Sequence, residues 1–301
     1  MTDPVPAVAV VVVSYACRDE LADLLSDLDD VRADEPIEVH VVDNASTDGT
    51  PAMVADRFPW VVLDASDENL GFGRANNRAF ARTDAPFVLV LNPDTRLSAA
   101  SLRAMREAMT RDPTIGILSP RVVDAEGRDD PNTRRGFPTL WGTFCAVTGL
   151  AGVLRDRASR RYTMGWIAPD EAADVEAVSG AVMLCRREVL DATGGFDERF
   201  FMYGEDIDIC LRARAFGWRV HYWPGTTVLH LGGRSGMSPR ARRAWATSIG
   251  DLHRIHRPGW RGRISGAISD LAGRALSAPA LVSAFRSRSR RDGSSDAGSD
   301  T

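Results

Sequence analysis

The chain opens on an uninterrupted apolar run at residues 8–13, mostly valine. Such a run predicts a parallel strand buried on both faces, not one that alternates between core and solvent. The spacing then becomes helical, with Leu21, Leu24, Leu25 and Leu28 on one face. Residues 37–42 predict a second strand that ends at Asp43, and Thr50-Pro51 reads as an N-cap followed by the first helical residue. A third strand is expected at 60–63, a short helix at 73–81, and a fourth strand at 87–91, stopped by Asn92-Pro93. Ser98 can cap a helix that carries Leu102, Met105 and Met109. This βαβαβ order predicts an α/β fold with a doubly wound, mostly parallel sheet. Ligands of such sheets lie outside the carboxyl ends of the strands.

Beyond residue 123 the pattern weakens. Residues 124–175 are rich in Arg, Gly and Pro and predict a long, partly mobile excursion. Strand character resumes at 181–185. A helix is expected from 205 to about 216, closed by Gly217, and a strand at 218–223. Further on, Ile264, Ile268, Leu271, Ala275, Ala278, Val282 and Phe285 recur at four- and three-residue steps, one apolar face of a helix that Pro279 should kink. The expected division is a catalytic domain at 1–235, a basic helical extension at 236–285 and a disordered tail at 286–301.

Charge sharpens this division. The net charge of -4 conceals an acidic body and a basic extension. Residues 234–291 hold 13 Arg against Asp251 and Asp270. That points to an anionic partner surface, membrane lipid or nucleic acid. The absence of any nucleic-acid motif and the acidity of the body argue against nucleic acid. Cys17, Cys145, Cys185 and Cys210 lie far apart with no CxxC pair, as expected of a protein in a reducing cytosol. No apolar segment reaches the 18 residues of a membrane span.

The candidate chemistry sits at the predicted strand ends: Ser14-Tyr15, Asp43-Asn44, the turn from Asn69 to Asn77, and Asn92-Pro93-Asp94. Any one alone is an ordinary turn, but four at one sheet edge make a site. Asp43 can accept hydrogen bonds from a nucleobase or ribose. In the turn, Gly71 and Gly73 let backbone approach a diphosphate at a helix N-terminus, and Arg74 adds a fork of donors. Asp94 can ligate Mg²⁺ or Mn²⁺ beside a nucleotide, and His230, after the strand-like Thr226–Leu229, is a further ligand candidate. Glu205 and Asp206 open a helix. Asp208 stands four residues before Arg212 and reads as an ordinary ion pair, which leaves Glu205 and Asp206 as candidates for a general base.

Read together, these residues resemble the family 2 glycosyltransferases over roughly residues 8–236, with 124–175 matching poorly. The resemblance rests on the 11–15 strand end, Asp43, 69–77, Leu91-Asn92-Pro93-Asp94, Val178-Ser179-Gly180-Ala181, Gly194-Gly195-Phe196-Asp197-Glu198, 201–212, Gly217-Trp218 and Val228-Leu229-His230. Within the family the chain looks most like the bacterial rhamnosyltransferase-type branch that builds cell-wall and surface polysaccharides. The resemblance implies a GT-A fold with a nucleotide-binding half and an acceptor half. It implies an inverting hexosyltransferase using a nucleotide-sugar donor, dTDP-rhamnose first and UDP-sugars next. The implied acceptor is a glycan on a polyprenyl diphosphate. It implies Asp206 as base with Glu205 beside it, and Asp94 with His230 on a divalent metal. Ser14, Tyr15, Asp43, Asn69, Gly71, Gly73, Arg74, Asn77 and Asn92 would hold the donor. The family's metal motif often carries two acids, and here Asn92 replaces the first. A binding protein without catalysis is the alternative, against which the Glu205-Asp206 pair speaks. The expected location is cytoplasmic, peripheral at the inner face of the plasma membrane.

Overall fold

The computed structural model describes residues 6–148, 154, 156–232, 239–257 and 259–276. In chain order the first elements are β1 (Val8–Ser14), α1 (Arg18–Asp34), β2 (Ile37–Asn44), α2 (Thr50–Arg57), β3 (Val62–Ser66), α3 (Phe72–Phe80) and β4 (Phe87–Leu91). They are followed by β5 (Thr95–Arg96), α4 (Ala99–Arg111), β6 (Ile115–Val123), β7 (Arg134–Arg135), α5 (Leu140–Thr148), β8 (Ala173–Asp174), β9 (Ala177–Val178) and β10 (Val182–Arg186). Then come α6 (Arg187–Thr193), α7 (Glu205–Ala215), β11 (Arg219–His230), α8 (Pro239–His256) and α9 (Trp260–Leu276).

The main sheet runs β3-β2-β1-β4-β10-β6-β11-β5, with β8 on β11. β1 to β4 are mutually parallel, whereas β10 lies antiparallel between β4 and β6. β11 returns parallel to β6. The valine run at the start of the chain is explained by this position. Val8, Val10 and Val12 join a core with Leu21, Leu24, Leu25 and Leu28 of α1, while Ala9 and Val11 are buried on the opposite face. At about 1.5–3 kcal/mol per fully buried branched side chain, this central strand is a principal source of stability.

Three elements differ from the sequence expectation. β3 starts at Val62, not at residue 60, because Trp60 stands edge-on to Phe58 with the Arg32 guanidinium 4.7 Å from its ring. The 218–223 strand and the strand-like stretch at 226–229 are one strand, β11, which passes Pro224-Gly225 by a register shift between Trp223 and Thr227. The excursion at 124–175 supplies two short strands, β7, which pairs with β9 just beyond it, and β8, which pairs with β11.

By compactness the chain divides into two units, Met1–Gly232 and Gly233–Thr301. The second contains α8 and α9, which pack against each other. Arg254 of α8 bridges Asp251 of its own helix and Asp270 of α9. Ala278, Val282, Phe285, Pro279 and the 286–301 tail lie outside the described residues.

Candidate active site

The strand-end clusters of β1, β2 and β4 meet along one edge of the sheet. Ser14 stands opposite Asp43 in the β1–β2 ladder, and its hydroxyl donates to Asp43 Oδ1 at 2.9 Å. The Ser46 amide donates to Asp43 Oδ2 at 2.8 Å. Asp43 and Ser14 are fully buried and hold this corner, while Tyr15 beside them is exposed. Asn44 reaches toward the glycine turn, accepting the Leu70 N–H at 3.3 Å and donating to the Gly71 carbonyl at 3.2 Å.

The turn is locked on its other side too. Asn69 Oδ1 accepts the Gly71 N–H at 3.0 Å. Gly71 adopts φ 81, a conformation side chains rarely take, and the next amide, Phe72 N–H, donates to the Phe201 carbonyl at 2.9 Å. A Cβ on Gly73 would meet Phe196 Cβ at 3.2 Å. Asn77 accepts the Phe196 N–H at 2.8 Å and donates to the Phe196 carbonyl at 2.9 Å. Asn69 and Asn77 are thus engaged in holding the turn in place. Arg74 remains half-exposed, 3.7 Å from Glu68, and with Arg78 lines a cavity of about 420 Å³ at the end of β3.

Asp94 and His230 are brought together by a strand pairing only two residues long. β5 lies antiparallel to the end of β11, with Thr95 opposite His230, and the Leu231 N–H donates to the Asp94 carbonyl at 2.9 Å. His230 Nε2 then lies 3.2 Å from Asp94 Oδ1 and 3.3 Å from the Asn92 amide. Its Nδ1 is 3.4 Å from Asp130 Oδ2. Burial alone would lower the His230 pKa, but Asp130 and Asp94 outweigh it and hold the ring at about 9. Among the described residues no cluster of three or more His, Cys, Asp or Glu has metal-holding geometry. The donor set suits a hard divalent ion nonetheless. Two ligands about 2.1 Å from an octahedral ion and at right angles stand about 3 Å apart, and such ions take their other ligands from water and phosphate.

Asp206 occupies the first turn of α7, behind Gly204 at φ 90 and Tyr203 at φ 68. Its Oδ1 accepts the Ile207 N–H at 2.8 Å, and its Oδ2 accepts the Gly180 N–H at 3.1 Å. The same Oδ2 is ion-paired with Arg135. Burial disfavours the Arg135 charge, but Asp206 and then Tyr162 more than compensate and raise its pKa. Glu205 is buried alongside, and its Oε2 has no hydrogen-bond partner among the described residues. Burial, and then the charge of Asp206, push the Glu205 carboxyl up to about 8. The two clusters are joined through Gly180-Ala181. The first of these donates to Asp206, and the carbonyl of the second accepts the Asn92 N–H at 2.9 Å.

Strained backbone gathers at the same edge. Of the four non-glycine residues at positive φ among the described residues, Ala16, Ala45 and Tyr203 follow β1, follow β2 and precede α7, and Met164 lies in the 124–175 excursion. Such outliers cost about 1–3 kcal/mol each and cluster at functional sites.

Asp130 and Arg135 were not among the residues the sequence singled out. Both come from the excursion after β6, and the only local signals are the Asp129-Asp130-Pro131-Asn132 turn and the Arg134-Arg135 doublet.

The model of the glycosyltransferase-like family 2 matches residues 4–249. The chain belongs to family 2. Among its family 2 relatives, the N-acetylglucosaminyl-diphospho-decaprenol L-rhamnosyltransferase of Mycobacterium tuberculosis is 36% identical over 241 residues, which cover 76% of either chain. Rhamnosyltransferase WbbL of Escherichia coli K12 is 30% identical over 168 residues, 53% of this chain and 60% of that one. The fold is GT-A. The mannosyltransferase PcManGT of Pyrobaculum calidifontis, solved with GDP-Man and Mn²⁺, superposes with a TM-score of 0.56 at 20% identity, covering 96% of this chain and 81% of that one. Staphylococcus aureus TarS 1-349 with UDP-GlcNAc gives 0.52 at 18% identity, covering 82% and 66%. This family 2 protein is therefore a glycosyltransferase of the rhamnosyltransferase branch.

Proposed function

We propose that the enzyme transfers rhamnose from dTDP-rhamnose to a hydroxyl of a saccharide on a polyprenyl diphosphate, with inversion. The observation that carries this reading is the juncture at Gly180-Ala181, which ties the Asn92–Asp94–His230 cluster to Asp206. The Mycobacterium tuberculosis relative, at 36% identity, supports both the sugar and the lipid-linked acceptor. A UDP-sugar is the competing donor. Tyr15 would face the nucleoside, with the buried Ser14–Asp43 pair holding the strand ends behind it rather than touching the base, and Arg74 with the N-terminus of α3 would face the diphosphate. Asp94 and His230, with Asn92 beside them, would hold Mg²⁺ or Mn²⁺. When bound, such an ion neutralises charge growing on the leaving diphosphate.

Asp206 takes the proton from the acceptor hydroxyl as that oxygen bonds to the anomeric carbon. The bond from that carbon to the diphosphate oxygen breaks on the opposite face, and the nucleoside diphosphate leaves with the electron pair. Asp206 Oδ2 accepts from Arg135 and Gly180, whereas Oδ1 accepts only the Ile207 N–H among the described residues and keeps a lone pair for the acceptor hydroxyl. The test is a panel of nucleotide sugars assayed for binding and transfer with wild type and Asp206→Asn. The Asn variant should bind dTDP-rhamnose normally and lose transfer by about 10²–10⁴-fold, the span of general base catalysis. Near-normal transfer by a folded Asn variant rejects Asp206 as base, and preferential turnover of a UDP-sugar rejects the rhamnosyl donor.

We further propose that the second unit rests on the anionic inner face of the plasma membrane. Trp260, Ile264, Ile268 and Leu271 follow one another on α9 at steps of four, four and three and are 67%, 50%, 47% and 69% exposed. An exposed apolar stripe within a segment of 13 Arg and two Asp suits interfacial binding, with each Arg contributing about 1 kcal/mol near an anionic leaflet. Among the described residues, no helix is long and apolar enough to cross a membrane. Flotation with phosphatidylglycerol vesicles should carry the wild type and leave behind a variant with Ile264, Ile268 and Leu271 changed to Glu. Equal flotation of both removes α9 as the membrane element.

A further inference from the structure

We propose that Asp130 is the positioning residue that makes His230 a metal ligand. The inference rests on the reading of Asp94 and His230 as the ion site, and it concerns the side of the ring that faces away from it. His230 Nε2 is turned to Asp94 Oδ1 at 3.2 Å and to the Asn92 amide at 3.3 Å. Nδ1 is turned to Asp130 Oδ2 at 3.4 Å. A ligating imidazole must offer a bare nitrogen to the ion, so its proton must reside on the other nitrogen. A carboxylate at Nδ1 holds it there and fixes the plane of the ring.

Asp130 is itself built to stay still. Its Oδ1 accepts the Asn132 backbone N–H at 2.8 Å and the Asn132 side-chain amide at 3.0 Å, which leaves Oδ2 for the histidine. Its own N–H donates to the Val122 carbonyl at 2.9 Å, and its carbonyl accepts the Thr133 N–H at 3.1 Å. A β-bridge between Asp129 and Val123 pins the turn to β6, and Val123 pairs with Leu229, the residue before His230. The ring is therefore carried by β11, and the carboxylate it faces by a turn bridged back to β6, the strand beside it.

The test is a titration of full-length protein with Mn²⁺ in the presence of dTDP, free Mn²⁺ being read by electron paramagnetic resonance, paired with dTDP affinity in EDTA. Asp130→Leu should weaken Mn²⁺ binding about 10–100-fold, the usual effect of losing an outer partner of a metal-bound histidine. Its dTDP affinity in EDTA should equal that of the wild type. Asp130→Asn, which keeps an acceptor oxygen, should fall between the two. His230→Gln and Asp94→Ala serve as references. If both references weaken Mn²⁺ binding and Asp130→Leu does not, the role of Asp130 is overturned and the ion site stands. If none of the three has an effect, the ion site falls and takes the inference with it. Where Asp130→Leu does not fold, Asp130→Asn decides. Mn²⁺ affinity below that of the wild type upholds the role, and equal affinity overturns it.

Discussion

Replacing Gly71 by Ala should damage the donor turn more than any other single methyl group added at a strand end. Gly71 sits at φ 81 and ψ 178, a region that costs a side chain about 1–3 kcal/mol. A Cβ there would also stand 2.8 Å from Phe201 Cδ2 and well inside contact of the Phe201 carbonyl oxygen. That oxygen is backbone and cannot swing aside. Relief requires parting Phe72 N–H from it, a bond worth about 1 kcal/mol net. The sum is about 2–4 kcal/mol. Gly49 is the control, because it has a similar φ of 84 at an ordinary left-handed ψ of 12, with nothing within 4 Å of an added Cβ. Its Ala variant should lose only about 1–2 kcal/mol. Urea unfolding of the two variants gives the difference, and dTDP binding reports whether the turn has moved. If Gly71→Ala costs no more than Gly49→Ala and binds dTDP like the wild type, the contact between the turn and Phe201 does not constrain the site.

The buried acids give further tests. Glu205 is raised from 4.5 to about 8, so between these values the folded chain holds a proton that the unfolded chain has lost. Stability must fall as pH rises through that window, and Glu205→Gln should remove this slope and exceed the wild type above about pH 8. Urea midpoints of the two proteins running parallel from pH 5 to 9 would refute the burial argument. Arg135→Met should cost about 3–5 kcal/mol, since it strands Asp206 as a buried charge. Adding Asp206→Asn should recover part of that loss, and a double variant no more stable than Arg135→Met would show that the pair is not formed. EDTA should weaken nucleotide binding and transfer in the wild type but not nucleotide binding in Asp94→Ala. Indifference of the wild type to EDTA would make Asn92 the residue that removed metal dependence.

The parts of the fold that were legible are those where one strand dictates its own pattern. β1 and β4 are covered on both faces and therefore read as unbroken apolar runs, and β2 stays legible through Ile37, Val39, Val41 and Val42 although Glu38 and His40 interrupt it. β3 was displaced in the sequence reading because it is an edge strand whose later residues serve polar ends. Asp64 takes ion pairs from Arg78 and Arg82. Pro224-Gly225 reads as a chain break yet only bulges β11. At the site, Asp43, Asp94 and His230 could be found because each closes an apolar strand. Arg135 and Asp130 could not. Their partners lie 71 and 100 residues away, and nothing periodic marks either residue. The resemblance itself weakened over this stretch.

That stretch has a consequence for how the chain tolerates changes of length. Surface connections usually absorb insertions and deletions readily. Asp130 and Arg135 stand five positions apart, one against His230 and the other against Asp206. The backbone between and around them is tied at Val122, Thr133, Ser179 and Tyr162. One residue added between them would shift either the histidine's partner or the base's partner out of place, and no adjustment of the spacer could restore both. The segment looks like a loop on the page, yet it behaves as a ruler with a fixed interval. Variation in length should collect elsewhere, and a scanning insertion library through residues 124–175 should leave residues 130–135 empty among active clones.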